Sequence, residues 1–459
     1  MAATLLPLPA LGALSGGRVL ADEIITTTIP ANNGASPVWC VGAPLLVRET
    51  GTVWASISVT DPGAEPSCNT HWELWRRPEA GAWERIRRGP AASEREPCPL
   101  FLPEPDKLML SIHPKILEWA HSSTSEHKWY CQPAIAQFYP RDPSSQPTLL
   151  QPKFATSPLF HQNSYRGVGV DPTNGSFLML GKDSTNHSHM TRRDRSGAWF
   201  PVAAPAFPIK AEYSAIVLRG NEGHVFAIGD IVEPNAAWKA EKFRVLNDSW
   251  DFAFRRVFYA FAPDLATGRF EALLEVDSVD GTAGWAFNLD MVADGNGRIH
   301  LLWVRRNIQY GFLRDRFFPG TPIVEEVRHA VLEQGRILST ETLLRREVDG
   351  AFVAGTRMNV STGRFHQLPD GRLLAVLATD VEDSKKLSTR ALLLQELDLD
   401  ARASPPAVRV ALKTPLPVNW IFTNTVRGGS KPAHDLDILT TATRDSVVSV
   451  RYIHVHISD

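Results

Sequence analysis

Seven times along this chain an alternating apolar run meets a tight turn and is answered by a second alternating run. The copies span 45–59 (turn Glu49-Thr50-Gly51), 100–113 (Pro103-Glu104-Pro105-Asp106) and 168–181 (Asp171-Pro172-Thr173-Asn174-Gly175). They continue through 215–230 (Gly220-Asn221-Glu222-Gly223), 289–304 (Asp294-Gly295-Asn296-Gly297), 365–379 (Pro369-Asp370-Gly371) and 437–455 (Arg444-Asp445). Period-2 hydrophobicity on both sides of a turn that can reach positive φ is the sequence form of a β-hairpin. The copies start roughly 47 to 76 residues apart, near the length of one four-stranded blade. A seven-bladed β-propeller of antiparallel blades is therefore expected, an all-β fold whose chemistry gathers around a central channel.

A second echo supports the repeat. Arg76-Arg77-Pro78-Glu79-Ala80-Gly81-Ala82-Trp83 and Arg192-Arg193-Asp194-Arg195-Ser196-Gly197-Ala198-Trp199 share the pattern R-R-x-x-x-G-A-W, two blade lengths apart. Each reads as a turn between outer strands. The segment 22–29 (Asp-Glu-Ile-Ile-Thr-Thr-Thr-Ile) is β-branched from Ile24 onward and precedes the first hairpin. It is expected to pair with the last run, around 447–456, and so close the ring; closure removes the exposed edges that an open sheet presents. Residues 22–459 are then one propeller domain, preceded at 1–21 by an apolar stretch read as a signal or disordered segment.

Composition fits. The 459 residues include 34 Pro and 31 Gly, as a turn-rich fold requires, and 48 basic against 50 acidic residues leave a net charge of −2. No basic tract points to nucleic acid, and no apolar run approaches the ~20 residues of a membrane span. The Pro-rich segments 140–152 and 201–208 read as crossings between blades, and 324–334 as one short helical insertion. Four cysteines (Cys40, Cys68, Cys98, Cys131) fall in the first third, without zinc-type spacing. A disulfide from Cys68 to Cys98 could staple the first crossing, or all four could be buried thiols. Four Asn-x-Ser sequons (Asn174, Asn186, Asn247, Asn359) favour a secreted protein.

The innermost strand of each blade lines the channel, so polar residues leading into each hairpin are the candidate site. They are His161, Asn163, Tyr165 and Arg166 in blade 3, Tyr213 in blade 4, and Trp285, Asn288 and Asp290 in blade 5. Blade 6 adds Arg357, Asn359, Arg364 and His366, and blade 7 adds Trp420, Asn424, Arg427, His434 and Asp435. Rings stack on sugar faces and Arg pairs carboxylates, so such a set suits a polysaccharide or oligosaccharide, one carrying acidic groups above all. No cofactor is required; calcium in the channel is the one cation the architecture suggests.

The run His161-Gln162-Asn163-Ser164-Tyr165-Arg166-Gly167-Val168-Gly169-Val170-Asp171, continuing to Gly175 and Gly181-Lys182-Asp183, resembles a motif of the Asp-box-like (BNR) repeat propellers. Within that superfamily it is similar to the propeller polysaccharide lyases, ulvan lyase and rhamnose–glucuronate lyase. The resemblance covers about residues 155–230. It implies cleavage beside a uronic acid by β-elimination, with His161 as base, Tyr213 as proton donor, and Arg166 or Lys182 neutralising the carboxylate. His187 or His189 would be the second imidazole. Gly229-Asp230 stand where the family has an arginine. The rival enzyme is a sialidase-like or other propeller glycoside hydrolase, for which Asp290 and Asp435 could be the acid/base pair; its regular boxes are missing here. The third reading is a non-catalytic sugar-binding propeller, against which stands the different polar set in every blade.

Overall fold

The computed structural model describes residues 14, 16–64, 67–119, 128–161, 165–247, 252–351, 358–382 and 388–458. Seven four-stranded antiparallel sheets stand in a ring, a seven-bladed β-propeller. Blade 1 runs Leu46–Glu49, Thr52–Thr60, Thr70–Arg77, Glu84–Arg88, and blade 2 runs Leu100–Glu104, Lys107–Ile112, Ala134–Phe138, Thr148–Leu150. Blade 3 is Gly167–Val170, Phe177–Lys182, Ser188–Arg193, Trp199–Val202; blade 4 is Ala211–Arg219, Glu222–Gly229, Arg256–Ala262, Ala272–Ser278. Blade 5 is Trp285–Ala293, Ile299–Arg306, Ile323–Glu333, Arg336–Val348, and blade 6 Thr362–Gln367, Leu373–Glu382, Ser388–Glu396, Val408–Val410. In each, the first strand lies innermost and the fourth outermost.

The first six hairpins are the two inner strands of blades 1 to 6. At the first turn Thr50 (φ 42°) and Gly51 (φ 79°) both take the left-handed backbone that a two-residue hairpin turn demands. The seventh copy sits one step outward. Its strands Asp435–Arg444 and Val447–Ser458 are second and third in blade 7, because the true inner strand there, Phe422–Thr423, is too short to show an alternation. Both R-R-x-x-x-G-A-W copies turn from a third into a fourth strand, as expected.

The fourth strand of blade 7 comes from the other end of the chain. Gly16–Thr28 pairs antiparallel along Val447–Ser458 from Gly16↔Ser458 to Thr28↔Val448, so the ring closes with the expected partner, but the strand begins six residues before 22 and takes 16–21 into the propeller rather than leaving them in a leading segment. A buried ion pair locks it: Arg451 donates Nε and Nη2 to the two oxygens of Asp22, at 2.7 and 2.8 Å.

Apolar faces of neighbouring blades fill the gaps between sheets: Leu392, Ile438 and Val455 between blades 6 and 7, and Leu178, Ile216 and Ala260 between blades 3 and 4. The channel is filled too. Asp290, fully buried, accepts from Arg427 Nε (2.9 Å) and from the Phe365 amide (3.0 Å), while Arg427 Nη1 donates to the Gly42 carbonyl at 2.6 Å. Arg364 donates to the carbonyls of Ile421, Val41 and Leu289, which come from three different parts of the ring. Gly42 is packed so closely on Tyr213 and Ser214 that a Cβ would stand 2.3 Å from a carbonyl oxygen.

Two sequence expectations are corrected. Residues 324–334 belong to the strand Ile323–Glu333, where burial alternates because Glu325 turns inward to Arg306. The α-helices among the described residues, Ala236–Leu246 and Gly311–Phe317, are instead insertions between second and third strands. The segment 140–152 is a turn plus the last strand of blade 2, whereas 201–208 does lead across to blade 4. Of the two readings open for the cysteines the structure has the second: all four are buried thiols, and Cys98 Sγ accepts from Arg166.

Replacing Asp22 with Ala strands the Arg451 guanidinium beside a buried strand, a loss of about 3 kcal/mol for a broken, mostly desolvated pair. Chemical denaturation should register a drop of that size in Asp22→Ala. Stability equal to the parent protein would mean that the end-to-end pairing is not what holds the ring.

Candidate active site

Antiparallel blades place all crossings between blades, and all loops joining second to third strands, on one rim. On that rim blade 4 opens with Ala211–Arg219, and this strand is irregular at its start. Glu212 pairs with Ile228 and Ala215 with Phe226, so Tyr213 and Ser214 stand opposite the single residue Ala227. The bulge holds Tyr213 at φ 54°, a left-handed backbone that costs a non-glycine residue energy. Asn288 of blade 5 secures it, donating Nδ2 to the Tyr213 carbonyl (2.8 Å) and the Phe226 carbonyl (3.1 Å).

The bulge turns Glu212 into a charged cluster. Its Oε1 lies 3.4 Å from Lys210 Nζ, a contact too long and poorly aligned for more than a weak hydrogen bond, and 3.8 Å from Lys182 Nζ; no described residue gives the carboxylate a well-formed hydrogen bond. Lys210 also donates to Asp230 Oδ2 at 3.1 Å, while Asp230 Oδ1 has no hydrogen bond from a described residue. Burial outweighs the two lysines and pushes the Glu212 carboxyl up to about 7. Burial likewise raises Asp230 and lowers Lys182. These groups sit behind a cavity of about 530 Å³ bounded by the turn 182–188 and the crossing 204–211.

An aromatic cluster adjoins them. Lys210 Nζ stands over the rings of Tyr165 (5.6 Å) and Phe252 (5.7 Å). Tyr165 meets Tyr213 edge-on at 5.0 Å, Tyr213 meets Trp39 and Phe287, and Phe287 carries the contact on to Trp285 and Trp420. Tyr213, Trp285 and Trp420 are nearly covered, whereas Trp39, Tyr165 and Phe252 are half-buried and present ring surface.

Of the residues singled out from sequence, the structure therefore brings together Lys182, Tyr165, Tyr213, Trp285 and Trp420, with Asn288 behind them. His187 reaches the same cavity wall, its Nδ1 on Thr185 at 2.7 Å; His189 turns back to Asp183 at 2.7 Å. The rest lie elsewhere. Arg166 is a buried clamp on Glu94, the Glu96 carbonyl and the Ser111 carbonyl, with no face left for a substrate carboxylate. Arg364, Arg427 and Asp290 plug the channel. His366 donates to the Ala433 carbonyl on the opposite rim, where burial lowers its imidazole to about 4. His434 and Asp435 are on that rim as well, Asp435 held by His454 and His456, so Asp290 and Asp435 serve different partners. Asn163, Arg357 and the side chain of His161 lie outside the described residues. Asn359 and Asn424 make local contacts, to Asp380 and to the backbone of Asp435 and Asp437.

Glu212, Lys210 and Asp230 escaped the sequence reading. Lys210-Ala211-Glu212-Tyr213 leads into an inner strand, the position of the channel-lining candidates, but in a regular strand Glu212 and Tyr213 would face opposite sides and only the tyrosine reads as a sugar-stacking group. Asp230 was noted only as the residue in an arginine's place. Among the described residues no group of three or more His, Cys, Asp or Glu is disposed to hold a metal ion.

No family profile matches this chain, and no curated protein matches it in sequence. Similar solved structures include an alpha-L-arabinanase from Penicillium chrysogenum complexed with arabinobiose, at 9% identity and TM-score 0.42 over 95% of this chain and 98% of that one. An alpha-L-arabinofuranosidase from Fusarium graminearum gives 10% and 0.40 over 96% and 98%. A Trypanosoma rangeli sialidase gives 9% and 0.42 over 90% of this chain and 54% of that one. Similarity at this level carries no argument about activity; the case rests on the cluster itself.

A carboxyl raised in the folded state adds stability below its ordinary pKa of 4.5 and loses it as pH climbs to about 7. Glu212→Gln should therefore melt with the parent protein near pH 4.5 and above it at pH 8, by the equivalent of roughly 3 kcal/mol. A variant less stable at pH 8 would show that Glu212 is held ionised by its lysines.

Proposed function

We propose that this propeller is a carbohydrate-active enzyme, a glycoside hydrolase whose acid is Glu212 and whose second carboxylate is Asp230. The single observation carrying the reading is the Glu212 carboxyl. It is buried, raised to about 7, held by no well-formed hydrogen bond from a described residue, and shares Lys210 with a second carboxylate. Glycosidic cleavage needs one carboxyl that keeps its proton at neutral pH to protonate the leaving oxygen, and one that is ionised to meet the developing positive charge. Asp230 holds the shorter contact to Lys210 and takes the ionised role. Half-buried Trp39, Tyr165 and Phe252 supply the stacking faces that sugar rings need. With Glu212 neutral, two ammonium groups face one carboxylate, which suits an acidic sugar. The sequon at exposed Asn186 agrees with secretion.

A β-eliminating lyase is the second reading, favoured by the two lysines and two tyrosines gathered at one place. Its base would be His161. The two mechanisms leave different products.

A panel of oligosaccharides and uronate polymers, assayed for reducing ends, tests the hydrolase. Activity should fall above about pH 7, and Glu212→Gln should lower kcat by about 10²–10⁴ with KM little changed. Full turnover in that variant would refute the assignment. If instead an ultraviolet-absorbing unsaturated product accumulates and disappears in His161→Ala, the lyase reading replaces it.

A further inference from the structure

The four cysteines converge on one buried place, between the first crossing and the sheet inserted in blade 2. Two are committed to charged groups. Cys40 Sγ donates to Glu96 Oε2 at 3.1 Å, and Cys98 Sγ accepts from Arg166 Nη1 at 3.6 Å, with Glu94 holding the same guanidinium. The other two face each other: the thiols of Cys131 and Cys68 share a hydrogen bond, although 3% and 2% of their surfaces at most remain exposed. Cys131 belongs to the strand Lys128–Cys131, which pairs on one side with Lys115–Trp119 and on the other with Phe160–His161. Cys68 lies in the loop before Thr70–Arg77 of blade 1.

We propose that Cys68 and Cys131 are a disulfide-forming site that ties blade 1 to the inserted sheet. The bond forms by exchange with a disulfide oxidant such as oxidised glutathione. Each thiol gives up its proton, the two sulfurs join, and one oxidant disulfide is reduced to two thiols. Burial disfavours the attacking thiolate in the finished fold, so the link is installed while the chain folds. Its consequence reaches the rim. Phe160 of the anchored sheet meets His189 ring to ring at 5.7 Å and bridges to Asp183, at the edge of the cavity in front of Glu212.

The full chain, refolded in a glutathione redox buffer and in parallel produced through an oxidising secretory compartment, is alkylated, digested and read by mass spectrometry. The expected product joins the Cys68 and Cys131 peptides, with Cys40 and Cys98 alkylated, and melts a few °C higher than the reduced protein. Four alkylated cysteines in folded protein from both routes would overturn the proposal, as would any link through Cys98 or Cys40. Cys131→Ser should then leave Cys68 alkylated rather than paired with another cysteine; a new pair would also count against it.

Discussion

A ring of twisted sheets is stable only if its last sheet meets its first, and here that meeting is made by the two ends of the chain. The strand Gly16–Thr28 lies along Val447–Ser458, with Asp22 and Arg451 paired across the ladder. Every blade packs on two neighbours, so a gap at any point would expose two apolar faces rather than one. The closing strand is the outermost of its blade and touches no part of the candidate site. Its influence is nonetheless general, because the relative tilt of seven sheets decides how far apart residues on different inner strands stand.

The second constraint is the filled centre. An open channel lined with polar side chains would let any inner strand contribute to a site on the axis. Here the 38–44 segment and the short 3₁₀ turn Val426–Gly428 occupy the axis, held by Asp290, Arg364 and Arg427. Three buried charges in one place are costly unless satisfied: Asp290 pairs with Arg427, and Arg364 donates to three backbone carbonyls, although its Nη2 has no hydrogen bond to a described residue. Arg364 bears the strain: burial and the nearby Arg427 lower its guanidinium to about 9. With the axis shut, reactive groups are displaced to the rim, over blades 3 to 5.

The same distinction explains what the sequence could and could not reveal. The hairpins were legible because alternation and turn residues are local properties, and six of seven fell on the two inner strands. The seventh slipped outward because Phe422–Thr423 is too short to alternate. The closing strand was legible as well, since 24–29 is β-branched and has no other sheet to join. The site was legible only in part. Tyr165 and Tyr213 stand out by position and Lys182 by the motif resemblance, but nothing local says that Arg364 turns to backbone carbonyls while Tyr165 keeps ring surface near the rim. Glu212 shows the limit most plainly: its significance comes from a bulge that only pairing with Ile228 and Phe226 reveals.

That bulge also accounts for the chemistry. Lysines at 3.4 and 3.8 Å would ordinarily hold a glutamate ionised, and in water they would win easily. In this position the carboxyl is fully covered, receives at most a weak 3.4 Å hydrogen bond from Lys210, and shares that lysine with Asp230. A carboxylate so poorly hydrogen-bonded loses more from desolvation than two imperfectly placed ammonium groups return, so the neutral acid persists to about pH 7. Had Glu212 lain in the regular strand, its side chain would have followed the pleat of its neighbours. The extra residue re-aims it, and Asn288 from the next blade keeps it aimed. The raised carboxyl is thus a property of two blades together, not of the glutamate or of the strand that carries it.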